Sequence, residues 1–504
     1  MIIIKRTDSS NYWYVWHRSY TGAGLYLNSA EVFPGDTAGF ATSQSSTTIN
    51  LAGGTLNSSG ATYVAYLYAH DAGGFGASGT DSIISCGTYT GNGNASVQNI
   101  NLGWEPQWIL LKQSVVAGGS SGITDAWQIV DNMRGLVVGA DDAVLNPNNA
   151  SVENTNAFSM VAEPTATGWQ VGSQANYSGA TYIYVAIRRG PMKTPTLGTS
   201  VFSPVLSSSY PSVLTAGFPV DMALTGTRTP AGYEKGINDR LRGFSNTSTG
   251  TSRWLVTQTT AAETTNTGAP SYYLANNTTI TVGTYFNGTT IANYLFQRAP
   301  GFFDEVCYTG TGANRTVNHN LGVVPELMIV KRRDSTGTWY VYAAPLGADT
   351  GLALNLTNAA FPGSNPSLWN ITTPTNSNFT VGVGAPVNGS GGTFVNYLFA
   401  SCPGVSKVGS YTGNGSSQTI NCAFTTGSRF VMIKRTDSTG DWYVWDSARG
   451  IVAGNDPYIA LNTTAAEVTS NDSVDTDNTG FIVNQDAASN VNVNAATYIF
   501  LAIA

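Results

Sequence analysis

The segment KRTDSTGDWYVW, residues 434–445 near the end of the chain, has the clearest secondary-structure pattern. The runs Phe430 to Arg435 and Trp442 to Asp446 are rich in β-branched and aromatic residues, and they flank an Asp-Ser-Thr-Gly turn typical of a β-hairpin. The same pattern begins the chain, where KRTDS at 5–9 precedes WYVW at 13–16 with the same eight-residue offset. The sequence is therefore internally repeated, and the period of the repeat defines its domains.

Further copies of two motifs complete the series. KRRDS at 331–335 precedes WYVY at 339–342, and a fourth copy joins residues 108–112 to WQIV at 127–130 through a tip lengthened by Gly and Ser. A second motif, a threonine followed by aromatic and β-branched residues, closes the repeats at 62–67, 181–186, 290–295, 393–398 and 497–502. These landmarks predict five repeats, which span residues 1–78, 79–192, 193–300, 301–404 and 405–504.

Two of the repeats depart from the pattern. The third repeat, 193–300, lacks the Tyr-Thr-Gly that opens the second, fourth and fifth, but it keeps the turn from Asp239 to Gly243. The first repeat, 1–78, is incomplete because the chain begins where the third strand of the pattern is expected, so its opening hairpin is missing. Either the natural protein continues upstream or another chain supplies those strands, and the first alternative is favoured.

The predicted fold class is all-β. Each repeat of about 100 residues holds seven or eight short strands separated by Gly, Asn, Ser and Thr, without helical periodicity. This pattern predicts an antiparallel β-sandwich, of which the jelly roll is one form. Short linkers that contain Pro-Gly, as at Pro300 and Pro403, predict sandwiches in tandem that form an elongated rod.

Composition excludes several classes of protein. The net charge is −7 and only 11% of residues are charged, with 23 Lys and Arg in no basic block, so no nucleic-acid partner is expected. No apolar run reaches the ~18 residues of a membrane-spanning helix, so no membrane insertion is expected. Four cysteines in 504 residues do not make a disulfide framework, and they read as small core residues.

Strand alternation separates two sets of large side chains in the repeated WYVW segment. The first set, exemplified by Trp442 and Val444, is large and apolar in every copy and is predicted to face the core. The second set varies in residue type between copies and is predicted to face outward. Its aromatic members are Tyr14, Trp16, Tyr340, Tyr342, Tyr443 and Trp445. Such rings either bury against a neighbouring repeat or subunit, which is favoured, or stack on the sugar rings of a glycan.

A turn of the form Asp-x-x-Arg-Gly follows this segment in three repeats. Its charged pairs are Asp131 with Arg134, Asp239 with Arg242, and Asp446 with Arg449. A catalytic carboxylate is conceivable at such a turn, but its recurrence favours a structural ion pair. The absence of a unique acidic cluster also argues against an enzyme, although the paired carboxylates of glycosidases are defined by a spatial separation.

The remaining candidates for chemistry are weak. Asp475 and Asp477 lie in a stretch that superficially matches a calcium loop, but the pattern fails at Thr479 and ends in Asp486 instead of a bidentate Glu. The three histidines occupy unlike positions in their repeats, so no shared base emerges. No metal and no other cofactor is therefore expected.

The repeated motifs resemble a domain of tailed bacteriophages. The segments that carry the resemblance are 409–415, 433–446 and 497–504, and the likeness covers nearly the whole chain, most weakly Pro191 to Gly288. This domain is common in large virion proteins of marine phages that are often labelled tail fibre or tail protein. The resemblance implies a component of the virion surface or tail, with other virion proteins as partners and, by analogy with such fibres, a homotrimer.

Three functions are compatible with the sequence. The first is a non-enzymatic tail fibre or similar appendage that binds a component of the host surface, for which tandem copies would supply avidity. The second is a purely architectural virion protein, such as a head decoration or fibre shaft. The third is a secreted protein that binds or degrades carbohydrate. The first of them is favoured from the sequence.

Overall fold

The computed structural model describes residues 1–20, 23–30, 32–34, 40, 44–51, 53–76, 78–93, 98–115, 126–139, 142–157, 162–274, 276, 278–362 and 367–504. The chain divides into two compact units, Met1–Met192 and Lys193–Ala504. The first unit holds the first two repeats, and the second unit holds the other three.

The first repeat contributes one antiparallel sheet to Met1–Met192. Its strands are β1 (Ile2–Arg6), β2 (Trp13–Trp16), β3 (Ala23–Tyr26), β4 (Val32–Pro34) and β5 (Tyr63–Leu67). The strand order is β4-β3-β2-β1-β5, so β5 lies at an edge of the sheet within the described ranges.

The second repeat forms a four-stranded sheet and two smaller ones. Its strands are β6 (Ile84–Thr90), β7 (Asn99–Asn101), β8 (Pro106–Val115), β9 (Gln128–Asp131), β10 (Asp142–Val144), β11 (Asn154–Ala157), β12 (Ala162–Thr165), β13 (Gly168–Val171) and β14 (Thr181–Arg188). The sheets have the orders β6-β14-β8-β9, β12-β13-β7 and β10-β11. The closing strand β14 is therefore paired on both sides, unlike its counterpart β5.

The third repeat begins the second unit with a six-stranded sheet, β15-β23-β17-β18-β19-β20, and a smaller sheet, β16-β22-β21. Its strands are β15 (Phe202–Ser207), β16 (Ser212–Thr215), β17 (Met222–Thr229), β18 (Gly236–Asp239), β19 (Thr251–Val256), β20 (Thr264–Thr267), β21 (Tyr272–Leu274), β22 (Thr279–Val282) and β23 (Thr290–Phe296).

The fourth and fifth repeats follow the same plan. The fourth contains β24 (Phe303–Thr309), β25 (Arg315–Asn318), β26 (Leu327–Arg332), β27 (Tyr340–Ala343), β28 (Thr350–Ala353), β29 (Phe361–Pro362), β30 (Asn378–Val381) and β31 (Thr393–Phe399). The fifth contains β32 (Ser406–Thr412), β33 (Gln418–Asn421), β34 (Phe430–Arg435), β35 (Trp442–Asp446), β36 (Ile459–Ala460), β37 (Val474–Asp477), β38 (Gly480–Val483) and β39 (Thr497–Ile503). Their larger sheets have the orders β24-β31-β26-β27-β28-β29 and β32-β39-β34-β35-β36.

In the part of the chain that the structure describes, helix is confined to single turns. The α-helical turn α1 is Ala385–Asn388, and 3₁₀ turns lie at Gly54–Asn57, Ser173–Ala175, Gly198–Ser200, Thr284–Phe286 and Ala344–Leu346. Among the described residues, no helix has the length and apolar character needed to cross a membrane. The predicted all-β sandwich class is therefore confirmed.

The larger sheet of each repeat in Lys193–Ala504 buries both of its faces. In the fifth repeat, Tyr443 and Trp445 of β35 pack on Phe481 of β38 in a core that belongs to that repeat alone. The alternate residues of the same strand, Trp442 and Val444, lie in a second core. Burial of both faces explains why the WYVW segments carry large side chains at every position.

The second core is shared by the third, fourth and fifth repeats. Met222, Ile329 and Phe430, one from each repeat, line a small apolar cavity of about 30 Å³ at its centre. A space of this size holds no more than about one water molecule and no organic ligand. The three repeats surround a common core, so the predicted elongated rod is not confirmed.

Candidate functional site: the contacts between repeats

A tryptophan from one repeat donates to the backbone of the repeat before it. Trp339 Nε1 donates to the carbonyl oxygen of Val256 at 3.0 Å, and Trp442 Nε1 donates to that of Ala353 at 2.8 Å. In the first unit, Trp127 Nε1 donates to the carbonyl oxygen of Tyr26 at 2.7 Å. The three acceptors occupy equivalent positions, because each lies on the strand that pairs with β2, β18 or β27 in its own repeat. These three contacts therefore repeat one geometry.

A buried lysine strengthens each of these contacts. Lys434 Nζ donates to the carbonyl oxygens of Thr357, 2.9 Å away in the preceding repeat, and of Gly440, 2.7 Å away in its own hairpin. Lys331 makes the same pair of bonds with Thr260 and Gly337. Burial disfavours the ammonium and lowers the pKa of both lysines from 10.5 to about 8.

The third repeat closes a ring by contacting the fifth. Lys235, which precedes β18 as Trp339 precedes β27, donates to the carbonyl oxygens of Thr463 at 2.8 Å and Ala465 at 2.9 Å. Gly232 N–H donates to the Thr464 carbonyl, as Gly440 N–H donates to that of Thr357. Each of the three repeats therefore contacts both of the others through one recurring interface.

A charged cluster crosses the contact between the third and fourth repeats. Asp239 binds Arg242 at 2.5 Å, and Arg242 also binds Glu263 at 2.9 Å. The fourth repeat adds Arg333, which lies 3.0 Å from Glu263, and Tyr397, whose hydroxyl donates to Asp239 at 2.6 Å. These arginines hold the pKa of the buried Glu263 carboxyl well below its usual range, against the effect of desolvation.

The same cluster recurs between the fifth and third repeats. Asp446, Arg449 and Glu467 form the inner chain, with ion pairs of 2.5 and 3.2 Å. Arg228 of the third repeat lies 2.9 Å from Glu467, and the Tyr294 hydroxyl donates to Asp446 at 2.8 Å. The predicted Asp–Arg turns thus form ion pairs, but their function extends to holding the next repeat.

The contact between the fourth and fifth repeats lacks every member of this cluster. At the five equivalent positions stand Ala343, Leu346, Ala360, Thr436 and Leu501. Ala360 N–H still donates to the Thr436 carbonyl at 2.8 Å, as Glu263 N–H does to that of Arg333, so the backbone geometry is preserved. A partial cluster would leave a charge buried without its partner, which is far more costly than its complete replacement by uncharged residues.

The aromatic residues predicted to face outward mostly lie inside their own repeats. Trp445 is 0% exposed and Tyr342 is 1% exposed, and Tyr14 and Tyr443 are also buried. Trp16 and Tyr340 are partly buried and pack against the same cores. The outward orientation was wrong because the smaller sheet covers this face in the fourth and fifth repeats, and because Phe40 and Leu56 pack on it in the first. The face with the recurring Trp meets neighbouring repeats.

The two acids predicted as weak calcium ligands lie in different surroundings. Asp475 comes within 4.8 Å of Asp456 and Asp472. Donors from the protein already occupy this cluster: Gly454 N–H on Asp475, Val452 and Val474 N–H on Asp456, and the Asn484 amide on Asp472 and Asp475. Asp477 instead receives the Thr479 N–H at 2.8 Å and caps its own turn.

Asp456 gives the second unit an expected dependence on pH. Its burial, together with Asp472 and Asp475, raises its pKa from 3.8 to about 7. The native state therefore binds more protons than the unfolded chain between about pH 4 and 7, and the free energy of unfolding should fall as pH rises through this window, by ~1–2 kcal/mol. Urea unfolding of Asp456→Asn should lose this slope; an unchanged slope would contradict the assignment.

The buried lysines predict the opposite slope at alkaline pH. The native state binds fewer protons than the unfolded chain between about pH 8 and 10.5, because the pKa of Lys434 is lowered to about 8. The free energy of unfolding should therefore rise by ~1–2 kcal/mol between pH 7.5 and 9.5. Lys434→Met, compared with the wild type by urea unfolding at both values, should reduce this rise; an equal rise in both proteins would contradict it.

The histidines and cysteines do not gather into a site within the described ranges. His17 Nε2 lies 3.1 Å from the Tyr184 carbonyl oxygen, and burial lowers its pKa to about 4. His319 Nε2 lies 3.1 Å from the Thr375 carbonyl oxygen. All four cysteines are free thiols, and three of them are buried.

Comparison with known proteins agrees with the repeat pattern. A family model described as "Domain of unknown function (DUF7483)" matches residues 1–191 and 289–504. The chain belongs to this family. The gap in the DUF7483 match covers most of the third repeat, which is the divergent one in sequence. No curated protein and no solved structure matches the chain.

Several members of the clusters were not found from sequence. Four of these members are isolated charged residues in the sequence: Glu263, Glu467, Arg228 and Arg333. The other two, Tyr294 and Tyr397, have the pattern of ordinary strand residues. A signal did exist, because an acid follows each Asp-x-x-Arg turn: Glu153, Glu263 and Glu467. The intervening loops differ in length, which hides the recurrence.

Proposed function

We propose that this protein is an architectural component of a tailed-phage particle, in which the repeats serve as assembly modules. The closed ring of three repeats in Lys193–Ala504 is the observation that carries the architectural part of the proposal. The large aromatic rings, the arginines and most of the acids at its contacts bind other repeats of the same chain. The phage part rests on the resemblance of the repeated motifs to virion proteins.

The burial of the aromatic set favours this function over host-surface binding. A ring stacks on a sugar only when its face is accessible, and Trp445 and Tyr342 are enclosed in their own sandwiches. A low-charge surface rich in Ser, Thr, Asn and Gly is compatible with a particle component, and the protein is proposed to reside on the virion with other virion proteins as its partners.

Particle composition tests the proposal. Phage particles purified by density gradient should contain the protein at a constant ratio to the major head protein after a high-salt wash, as measured by quantitative mass spectrometry. Antibodies against it should label one part of the particle in electron micrographs. Absence from washed particles would overturn the proposal.

Adsorption of particles to host cells separates the architectural role from receptor binding. The purified chain, added in excess, should leave the rate of adsorption unchanged if it is architectural. Competition that grows with the amount of added chain would instead favour the host-binding appendage.

A further inference from the structure

The first unit contains only two repeats, and they meet as two members of the ring do. Trp127 Nε1 and Lys112 Nζ of the second repeat bind the carbonyl oxygens of Tyr26 and Ala30 in the first. These bonds match those that Trp442 and Lys434 make with the fourth repeat. The unit Met1–Met192 therefore holds two positions of the three that complete the ring in Lys193–Ala504.

One face of the second repeat lies exposed where the ring would continue. Leu145 is 37% exposed, whereas Leu352, which pairs with the equivalent residue of β27, is 0% exposed in the ring. Beside it lies a chain of three charges, in which Arg134 binds Asp131 at 2.7 Å and Glu153 at 2.9 Å. This chain matches Asp446, Arg449 and Glu467, which bind Arg228 and Tyr294 of the third repeat.

The first repeat is exposed on the complementary face. Tyr66 is 47% exposed, and its counterparts Tyr294 and Tyr397 are both 0% exposed because their hydroxyls bind the aspartate of a neighbouring repeat. Leu67 is also exposed, but it lies on the opposite face of the sheet, because its counterparts Leu295 and Leu398 lie in the cores of their own repeats. Tyr66 and Leu67 lie on β5, the closing strand that has an unpaired edge in the described part of the sheet, while β14, β23, β31 and β39 are paired on both sides.

The residues at the contact between the first two repeats identify which ring member is missing. His17, Ser114 and Val185 occupy the positions of Ala343, Thr436 and Leu501, so this contact lacks the charged cluster as the contact between the fourth and fifth repeats does. The first and second repeats thus correspond to the fourth and fifth. The missing member corresponds to the third repeat, which carries Arg228 and Tyr294 on one face and Asp239 with Arg242 on the other.

We propose that Met1–Met192 is two-thirds of a three-repeat ring, and that its open position binds a DUF7483 module with the surface chemistry of the third repeat. The module presents an arginine and a tyrosine to Asp131, Arg134 and Glu153, and an Asp-x-x-Arg turn to the Tyr66 hydroxyl. Thr7 stands at the position of Arg333, so the contact at Tyr66 has one charged residue fewer than the contact between the third and fourth repeats. The polypeptide of this module also adds an antiparallel strand to β5. The inference does not depend on the virion assignment.

An extended chain tests this fit. Met1 occupies the position of Leu327, so a second copy of residues 193–326, joined directly ahead of Met1, supplies the third repeat together with the strand equivalent to β24. Thiol labelling of Leu145→Cys should be fast in the chain of 504 residues and at least tenfold slower in the extended chain. Arg228→Glu in the added copy alone places a like charge against Asp131 and Glu153, and it should restore fast labelling.

Each other outcome overturns the proposal. Slow labelling of Leu145→Cys in the monomeric chain of 504 residues would show that this chain itself covers the face. Slow labelling that appears with concentration, together with a dimer in light scattering, would make a second copy the occupant. Fast labelling in an extended chain, when hydrogen exchange shows that the added copy is folded, would mean that the third-repeat chemistry does not fit the open position.

Discussion

Replacement of Asp239 by alanine is expected to lower the free energy of unfolding of Lys193–Ala504 by about 3–5 kcal/mol. Asp239 and Arg242 are both 0% exposed, and Arg242 Nε binds the carboxylate at 2.5 Å. The substitution also removes the acceptor of the Tyr397 hydroxyl, which comes from the next repeat. The variant therefore leaves a guanidinium partly unpaired and a phenol without its acceptor, both away from water.

Asp131→Ala is the matched control for this prediction. Asp131 makes the same i,i+3 pair with Arg134 at 2.7 Å, but both side chains of this pair are partly solvated. Solvent screens such a pair, and its loss should lower the free energy of unfolding of Met1–Met192 by less than about 1 kcal/mol. Hydrogen exchange in urea, followed on peptides from each unit, measures both values within one protein. Equal losses in the two units would contradict the assigned difference in burial.

The strand content was predictable because it depends on local sequence. Alternating aromatic and β-branched residues with Gly and Asn between them specify short strands whatever lies beside them. The hairpin at 430–446 forms as its sequence predicts. The assignment of faces was not predictable in the same way. Alternation separates Trp442 from Tyr443, but it does not say which side meets the smaller sheet and which side meets another repeat.

One face of the WYVW strand varies in residue type between repeats, and the exposure predicted from this variation is wrong. Variation predicts exposure, yet Tyr443, Gln128 and Tyr340 vary because each repeat packs its own smaller sheet with different partners. Trp127, Trp339 and Trp442 recur because each meets the equivalent backbone carbonyl of the preceding repeat. In a ring of repeats, the face that meets other copies is therefore the more uniform of the two.

The charged clusters illustrate a limit of reading one repeat at a time. Asp239 and Tyr397 lie in different repeats and are far apart in sequence, so no local pattern links them. Their relation becomes visible only when equivalent positions are compared around the ring, where Asp, Arg, Glu, Arg and Tyr are replaced together by Ala343, Leu346, Ala360, Thr436 and Leu501. Joint replacement indicates that the five residues act as one buried unit.

Trp442→Ala should have an effect as large as Asp239→Ala but for a different reason. The indole is 1% exposed in the core shared by three repeats, and its loss creates a cavity that the surrounding sheets do not fill. Truncation of a buried tryptophan lowers the free energy of unfolding by about 3–5 kcal/mol. Hydrogen exchange in urea on peptides from Lys193–Ala504 measures the loss, and peptides from the fourth repeat should lose protection together with those from the fifth.

Trp13→Ala is the control, because Trp13 occupies the same position in a repeat whose neighbour on this face is missing. Its ring is only partly buried, so its truncation should cost about 1 kcal/mol in Met1–Met192. Trp442→Phe separates the loss of the hydrogen bond from the loss of apolar volume. It keeps most of that volume but leaves the Ala353 carbonyl without its donor, which should lower the free energy of unfolding by about 1–2 kcal/mol. Equal losses for Trp13→Ala and Trp442→Ala would mean that the first repeat already has a neighbour on that face, and the open position would not exist.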